Sequence, residues 1–204
     1  MIDGQDYLSD LLQQLRLTDA SGIEKLLLDA AISHPADPRP LLLLAGEYAQ
    51  AQDMDRAEAT YIAALQRNPD YAIARFQLGL LQFSGARPAV ALATFAPLDQ
   101  LEEHHPLRLF KNAFECLAQD RLQDARTWFC EGIAHNTDNT PLNFDMQNMV
   151  KRLDKLQAES GHAAQDSAQA AAASTAPHPE KQSGNSPANQ VEEHFLVSAY
   201  RNLH

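Results

Sequence analysis

Residues 41–69 read LLLLAGEYAQAQDMDRAEATYIAALQRNP, and the positions within this stretch recur along the chain at an interval of 34. Ile23, Ala57, Ala91 and Ala125 are spaced by 34, as are Leu27, Tyr61, Phe95 and Phe129. Ala30, Ala64, Leu98 and Gly132 form a third column, and Pro35 and Pro69 share the spacing. A constant period of this length marks a structural unit that is repeated and stacked, because one such unit cannot bury its apolar face alone.

The second unit carries the fullest pattern: Leu41, Leu44, Ala45, Tyr48, Ala57, Tyr61, Ala64 and Pro69. In this order of large, small, aromatic and Pro positions the chain resembles the tetratricopeptide repeat, over about residues 4–139. The third unit adds Leu78, Gly79, Ala91 and Phe95, and the fourth Leu109, Ala113, Ala125 and Phe129. The resemblance implies an all-α fold: a right-handed superhelical solenoid of about four antiparallel helix pairs, with a C-terminal capping helix and a flexible tail. Small residues such as Ala45, Gly79, Ala57 and Ala91 would let helices approach closely. Tyr61, Phe95 and Phe129 would fill the space between units, and Pro69 would stop a helix and force the turn.

Some positions depart from the pattern. Asp10 and Asn112 stand where the family has Leu, so the first and fourth units are degenerate. Pro97 falls inside the second helix of the third unit and predicts a kinked or shortened helix. No Pro marks the turn between Gln100 and His105. Beyond the array, Leu142, Met146, Met149, Leu153 and Leu156 recur at helical spacing and predict an amphipathic cap on the last unit. The repeat domain with its cap is therefore placed at 1–157.

Composition changes near Ala158. Residues 158–190 are rich in Ala, Gln, Ser, Pro, His and Gly, and they read as a disordered linker in which Ala170 to Ala173 favour helix. Residues 191–204, VEEHFLVSAYRNLH, regain an apolar stripe of Val191, Phe195, Ala199 and Leu203, flanked by Leu196 and Tyr200. Asn189 and Glu192 resemble a capping box, and Glu192, Glu193 and Arg201 suit the helix dipole. So short a helix is marginal alone in water and predicts weak, reversible docking. Phe195, Leu196, Ala199, Tyr200 and Leu203 are its expected contact residues.

The family resemblance also implies a binding groove lined by the first helix of each pair. The corresponding positions are Leu8, Leu12 and Leu15; Leu42, Gly46 and Ala49; Phe76, Leu80 and Phe83; and Phe110, Phe114 and Leu117. They are apolar and lack the Asn, Lys and Arg set with which relatives grip a carboxylate. The expectation is an apolar trough, centred on Leu42, Phe76, Leu80, Phe83, Phe110, Phe114 and Leu117, that takes an amphipathic helix or apolar peptide. The alternative is that these side chains are core, covered by packing or by tight curvature. A linker of this length spans roughly 30 Å on average, so segment 191–204 could reach the groove of its own chain or of a neighbouring copy.

The remaining features argue against other classes. The net charge is −11, with 16 Lys and Arg against 27 Asp and Glu, so neither nucleic acid nor an anionic membrane surface is the expected partner. The opening MIDGQDYLSD has no basic start followed by an apolar run, and the longest such run, Leu41 to Ala45, is far short of a span. A cytoplasmic location is expected. Cys116 and Cys130 make no disulfide framework or metal quartet. No phosphate loop, HExxH, CxxC or nucleophile elbow is present. His104 and His105, beside Glu102 and Glu103, read as a solvated turn, so no metal, cofactor or catalytic residue is expected. The expected function is a non-enzymatic protein-interaction scaffold or adaptor, possible self-interaction through the tail included. The alternative is an assembly factor whose C-terminal motif docks in a neighbouring copy or a larger complex.

Overall fold

The computed structural model describes residues 3–173, with side chains for 7–159 apart from 20 and 21. Segment 191–204, with Phe195, Leu196, Ala199, Tyr200 and Leu203, lies outside the described residues.

The described residues form α-helices joined by short turns, without strands. They are α1 (Asp3–Leu17), α2 (Ala20–Ser33), α3 (Arg39–Gln50), α4 (Met54–Arg67), α5 (Ala72–Ser84), α6 (Pro88–Phe95), α7 (Pro106–Ala118), α8 (Leu122–His135) and α9 (Thr140–Ala173). A 3₁₀ turn, Ala96–Gln100, follows α6. Each helix packs mainly on its neighbours in sequence, so α1/α2, α3/α4, α5/α6 and α7/α8 are four stacked pairs and α9 closes the end.

The 34-residue columns are the spine of the core. Ala57, Ala91 and Ala125 are fully buried, with Ile23 nearly so, and Leu27, Tyr61, Phe95 and Phe129 are sealed beside them. The small positions are small for steric reasons. A Cβ on Gly79 would sit 2.3 Å from Cε1 of Phe95, and one on Gly132 would sit 2.4 Å from Cε1 of Phe110. Burying rings of this size contributes about 2–3 kcal/mol each, which is available only if the opposing helix presents no side chain.

The turns inside the pairs repeat as well. Gln52, Ala86 and Asp120 hold left-handed backbone at φ 61°, 56° and 58°. At each, two nested bonds satisfy the last carbonyls of the first helix. Gln52 N–H donates to Ala49 and Asp53 N–H to Tyr48 at 3.1 and 2.9 Å; Ala86 to Phe83 and Arg87 to Gln82 at 3.2 and 3.0 Å; Asp120 to Leu117 and Arg121 to Cys116 at 3.1 and 2.9 Å.

Polar clamps between pairs follow the same interval. Glu24 on α2 accepts the Tyr48 hydroxyl at 2.8 Å and pairs with Arg56 at 3.2 Å. One repeat later, Glu58 accepts from Gln82 Nε2 at 2.9 Å and pairs with Arg87 at 2.6 Å. Asp10 is exposed on α1 and leaves Leu11 to supply that helix's buried contact. The first pair is also held by a polar hub. The Tyr7 ring stacks on His34 at 3.6 Å, and its hydroxyl donates to Asp37, which also accepts Arg39 Nε at 2.9 Å. Burial, and then the Asp37 bond, push Tyr7 up to about 12. Burial opposes ionisation of Asp37, but hydrogen bonds from Arg39 and Tyr7 outweigh it and hold the carboxyl at about 2.

Pro97 acts as its chemistry predicts. It lacks an N–H, so α6 stops at Phe95 after 8 residues and the chain tightens into the 3₁₀ turn, which still delivers Leu98 to the core. Asp99 of this turn is tied back by Lys111 of α7, whose buried ammonium lies 2.8 Å from Asp99 and 2.6 Å from Glu115.

At the C-terminal end α9 buries Leu142, Met146 and Leu153, as a cap requires. Its entry is set by three Asn. Asn136 Nδ2 donates to the Asn139 carbonyl and to Asn143 Oδ1 at 2.9 and 2.8 Å, and Asn139 Oδ1 accepts Leu142 N–H at 3.1 Å. The expected boundary at 158 is not a helix end, because α9 continues to Ala173. The residues beyond Gln157 are dominated by Ala and Gln, whose helix propensity prolongs a helix already nucleated by packing.

Three stability predictions follow from these contacts. Gly79→Ala or Gly132→Ala should each lower stability by about 1–3 kcal/mol through overpacking against a sealed ring, measured by urea unfolding. Ala86→Gly should raise it by about 0.5–1 kcal/mol, a Tm rise of roughly 2–4 °C, by relieving left-handed strain at an exposed turn. Asp145 is buried on α9, and burial pushes its carboxyl up to about 7. The folded chain thus holds a proton that the unfolded chain releases near pH 4, and stability falls as pH rises from about 4 to about 7. Asp145→Asn should therefore match the wild type near pH 4 and exceed it by about 1–3 kcal/mol at pH 8, read from paired thermal melts.

Candidate interaction surfaces

The first helices were expected to line an open apolar trough, and most of their side chains are instead core. Phe76, Phe110 and Phe114 are 0% exposed, Leu42 2% and Leu80 8%. Phe83 and Leu117 are half-buried, as are Leu8, Leu12 and Leu15, while Gly46 and Ala49 are buried. The reason is the closeness of successive first helices. Phe76 of α5 lies 6.0 Å from Phe110 and 6.1 Å from Phe114 of α7, ring to ring, and Phe83 lies 5.0 Å from Phe114. Phe114 reaches further, to Phe95 at 5.6 Å and Phe129 at 5.3 Å. Six phenylalanines thus form one tilted and edge-to-face cluster, an arrangement that aromatic quadrupoles favour. The apolar surface meant for a ligand is spent on the neighbouring repeat.

The helix α5 shows how completely this happens. Ala74, Leu78 and Leu81 face the N-terminal cluster, while Phe76 and Leu80 face the C-terminal one. Gln77 and Gln82 are buried as well, Gln82 between Glu58 and Thr94. The sequence pattern could not reveal this. A column of Phe at 34-residue spacing looks the same whether it faces a hollow or the next helix.

An open apolar column does exist, on the second helices. Leu28 of α2 is 40% exposed and Ile62 of α4 is 42% exposed, at equivalent positions one repeat apart. Ala96 and Cys130 continue the same 34-residue column and are also exposed. Ile32, one helical turn beyond Leu28, is 74% exposed. Charged Lys25 and Asp29 flank it on α2. Isolated exposed aliphatics are ordinary, but a line of them repeated along a stack is a surface with one chemistry. The family resemblance points to the first helices, so the sequence carries no signal for this column.

The remaining polar features are dispersed. A shallow depression at the α3–α4 turn is lined by Ala51, Gln52, Asp53, Met54 and Asp55. Cys116 is buried, and burial pushes its thiol up, away from the reactive thiolate; Cys130 is exposed. The turn read as solvated does not stand alone. His104 stacks on His135 with ring centroids 5.1 Å apart and planes 12° from parallel, and its Nδ1 lies 3.7 Å from Glu131. His105 has a different job, since its Nδ1 accepts Leu107 N–H at 3.2 Å and caps α7. No helix among the described residues is long and apolar enough to cross a membrane.

No family model and no curated protein matches the chain. Among solved structures, it is similar to MamA (residues 41 to end) from Desulfovibrio magneticus RS-1, a tetratricopeptide-repeat protein. The TM-score is 0.54 at 14% identity, covering 83% of this chain and 94% of that one. A MamA RS-1 ArsTM double mutant matches equally, with TM-score 0.54 and 14% identity over 81% of this chain and 91% of that one. Together with the buried 34-residue columns, these likenesses give the chain a tetratricopeptide-type solenoid fold.

Proposed function

We propose that this chain is a non-enzymatic protein-interaction scaffold that docks an amphipathic helix or apolar peptide on the second-helix column of Leu28, Ile32 and Ile62. The observation that carries the reading is the open apolar column repeated across adjacent helix pairs of a solenoid. A rigid stack presents such a column at a fixed pitch, and a helical ligand matches it with side chains at i, i+4 and i+7. Covering the three side chains contributes about 3 kcal/mol gross, so a free peptide binds weakly and a tethered one gains from effective concentration. Segment 191–204 has the complementary stripe and is the first ligand to test, in cis as a releasable plug or in trans as an assembly contact.

A second reading keeps the ligand on the first helices. Phe83 and Leu117 stay half-buried at equivalent positions of adjacent pairs, and a peptide could rest along that edge.

The test uses a labelled 191–204 peptide and the chain lacking residues 191–204, with binding read by fluorescence anisotropy. Leu28→Glu with Ile62→Glu should weaken binding about tenfold or more, and should leave melting nearly unchanged because both positions are surface sites. Loss of binding only with Phe83→Gln and Leu117→Gln moves the site to the inner edge. If no substitution on either surface changes binding, the docking proposal is wrong. Light scattering of the full chain separates cis from trans, since only the trans form predicts mass beyond one copy.

A further inference from the structure

We propose that His104, Glu131 and His135 form a binding site for a divalent transition metal of the zinc type. The three residues come from two elements. His104 stands in the loop between the 3₁₀ turn and α7, and Glu131 and His135 lie four apart on the last turns of α8. That spacing puts the carboxylate and the imidazole on one helix face. One donor atom from each residue lies within 4.8 Å of the other two. A tetrahedral metal with bonds of about 2.0–2.2 Å needs its ligand atoms roughly 3.3 Å apart. The remaining difference is on the scale of a side-chain rotation, and His104, whose side chain is 64% exposed, has room to turn.

The chemistry of the donors selects the ion. Two imidazoles and one carboxylate suit zinc, cobalt, nickel or copper, whereas magnesium and calcium require oxygen donors. Three protein ligands leave a tetrahedral ion one position for water or for a donor from another molecule. Glu102 and Glu103, exposed in the same loop, add negative charge beside the site. The two imidazoles already lie side by side, with centroids 5.1 Å apart, so little movement separates them from a shared ion.

The location gives the site a structural consequence. The loop carrying His104 belongs to the part of the array without a turn-forming Pro, and His135 directly precedes Asn136, whose hydrogen bonds set the entry of α9. A bound ion would fasten this loop to the end of the last repeat and steady the base of the capping helix.

The experiment titrates the full chain with ZnCl₂ by calorimetry, beside His104→Gln, His135→Gln and the double variant, with circular dichroism confirming unchanged helicity. Wild type should take up one equivalent, each single variant should bind about tenfold or more weakly, and a large excess of MgCl₂ should not compete. In ¹H–¹⁵N spectra of the imidazoles, one equivalent of Zn²⁺ should shift the rings of His104 and His135. At zinc well above its dissociation constant, Tm should rise by roughly 5 °C in the wild type and stay unchanged in the double variant. Equal zinc affinity in wild type and double variant, or zinc-dependent shifts confined to other histidines, overturns the assignment.

Discussion

The constraint on which this molecule rests is the close approach of a bare first- or second-helix backbone to an aromatic ring. Gly79 faces Phe95 and Gly132 faces Phe110 at separations that leave no room for a methyl group. Fully buried Ala57, Ala91 and Ala125 serve the same end at the other crossing points. Because backbones meet so closely, the rings are pushed inward and along the stack, where Phe76, Phe83, Phe95, Phe110, Phe114 and Phe129 contact one another. Dispersion and burial across this cluster couple the third and fourth pairs into one body. The local polar clamps at Glu24 and Glu58 align neighbouring pairs rather than hold them together, since half-exposed ion pairs contribute little.

A core organised this way changes where recognition can occur. In a loosely curved solenoid the first helices would leave their outermost apolar side chains to solvent. Here α5 is walled on both sides by its neighbours and has almost no free face. Among the described residues, the apolar side chains left open include the second-helix column and the edges at Phe83 and Leu117, with Leu17, Phe144 and Leu156 exposed nearer the two ends. The exposed Leu28, Ile32 and Ile62 are three moderate contacts rather than one deep pocket, and that geometry favours exchangeable docking over tight capture.

The irregular stretch between the third and fourth pairs is equally informative. Pro97 shortens α6, the 3₁₀ turn recovers the register with Leu98, and the Lys111 ammonium fastens Asp99 of that turn to α7. The shortened helix and its loop bring His104 beside the end of α8. A departure from the repeat thus assembles a side-chain group that no regular unit contains.

The amino-acid sequence by itself determined the period, the number of helix pairs, the identity of the small and large core positions, the break at Pro97 and the presence of a cap carrying Leu142, Met146 and Leu153. Each of these is local chemistry or strict spacing, which one chain displays without coordinates. Tertiary structure alone decided which apolar columns face inward. Phe76, Phe110 and Phe114 became core and Leu28 and Ile62 became surface, because the curvature of the stack sets how near successive first helices lie, and curvature is a sum of many small packing angles that no single residue encodes. It also decided that His104 meets Glu131 and His135, and that α9 runs on past Gln157, since a helix anchored by buried Leu142, Met146 and Leu153 extends through Ala-rich sequence that could not begin one.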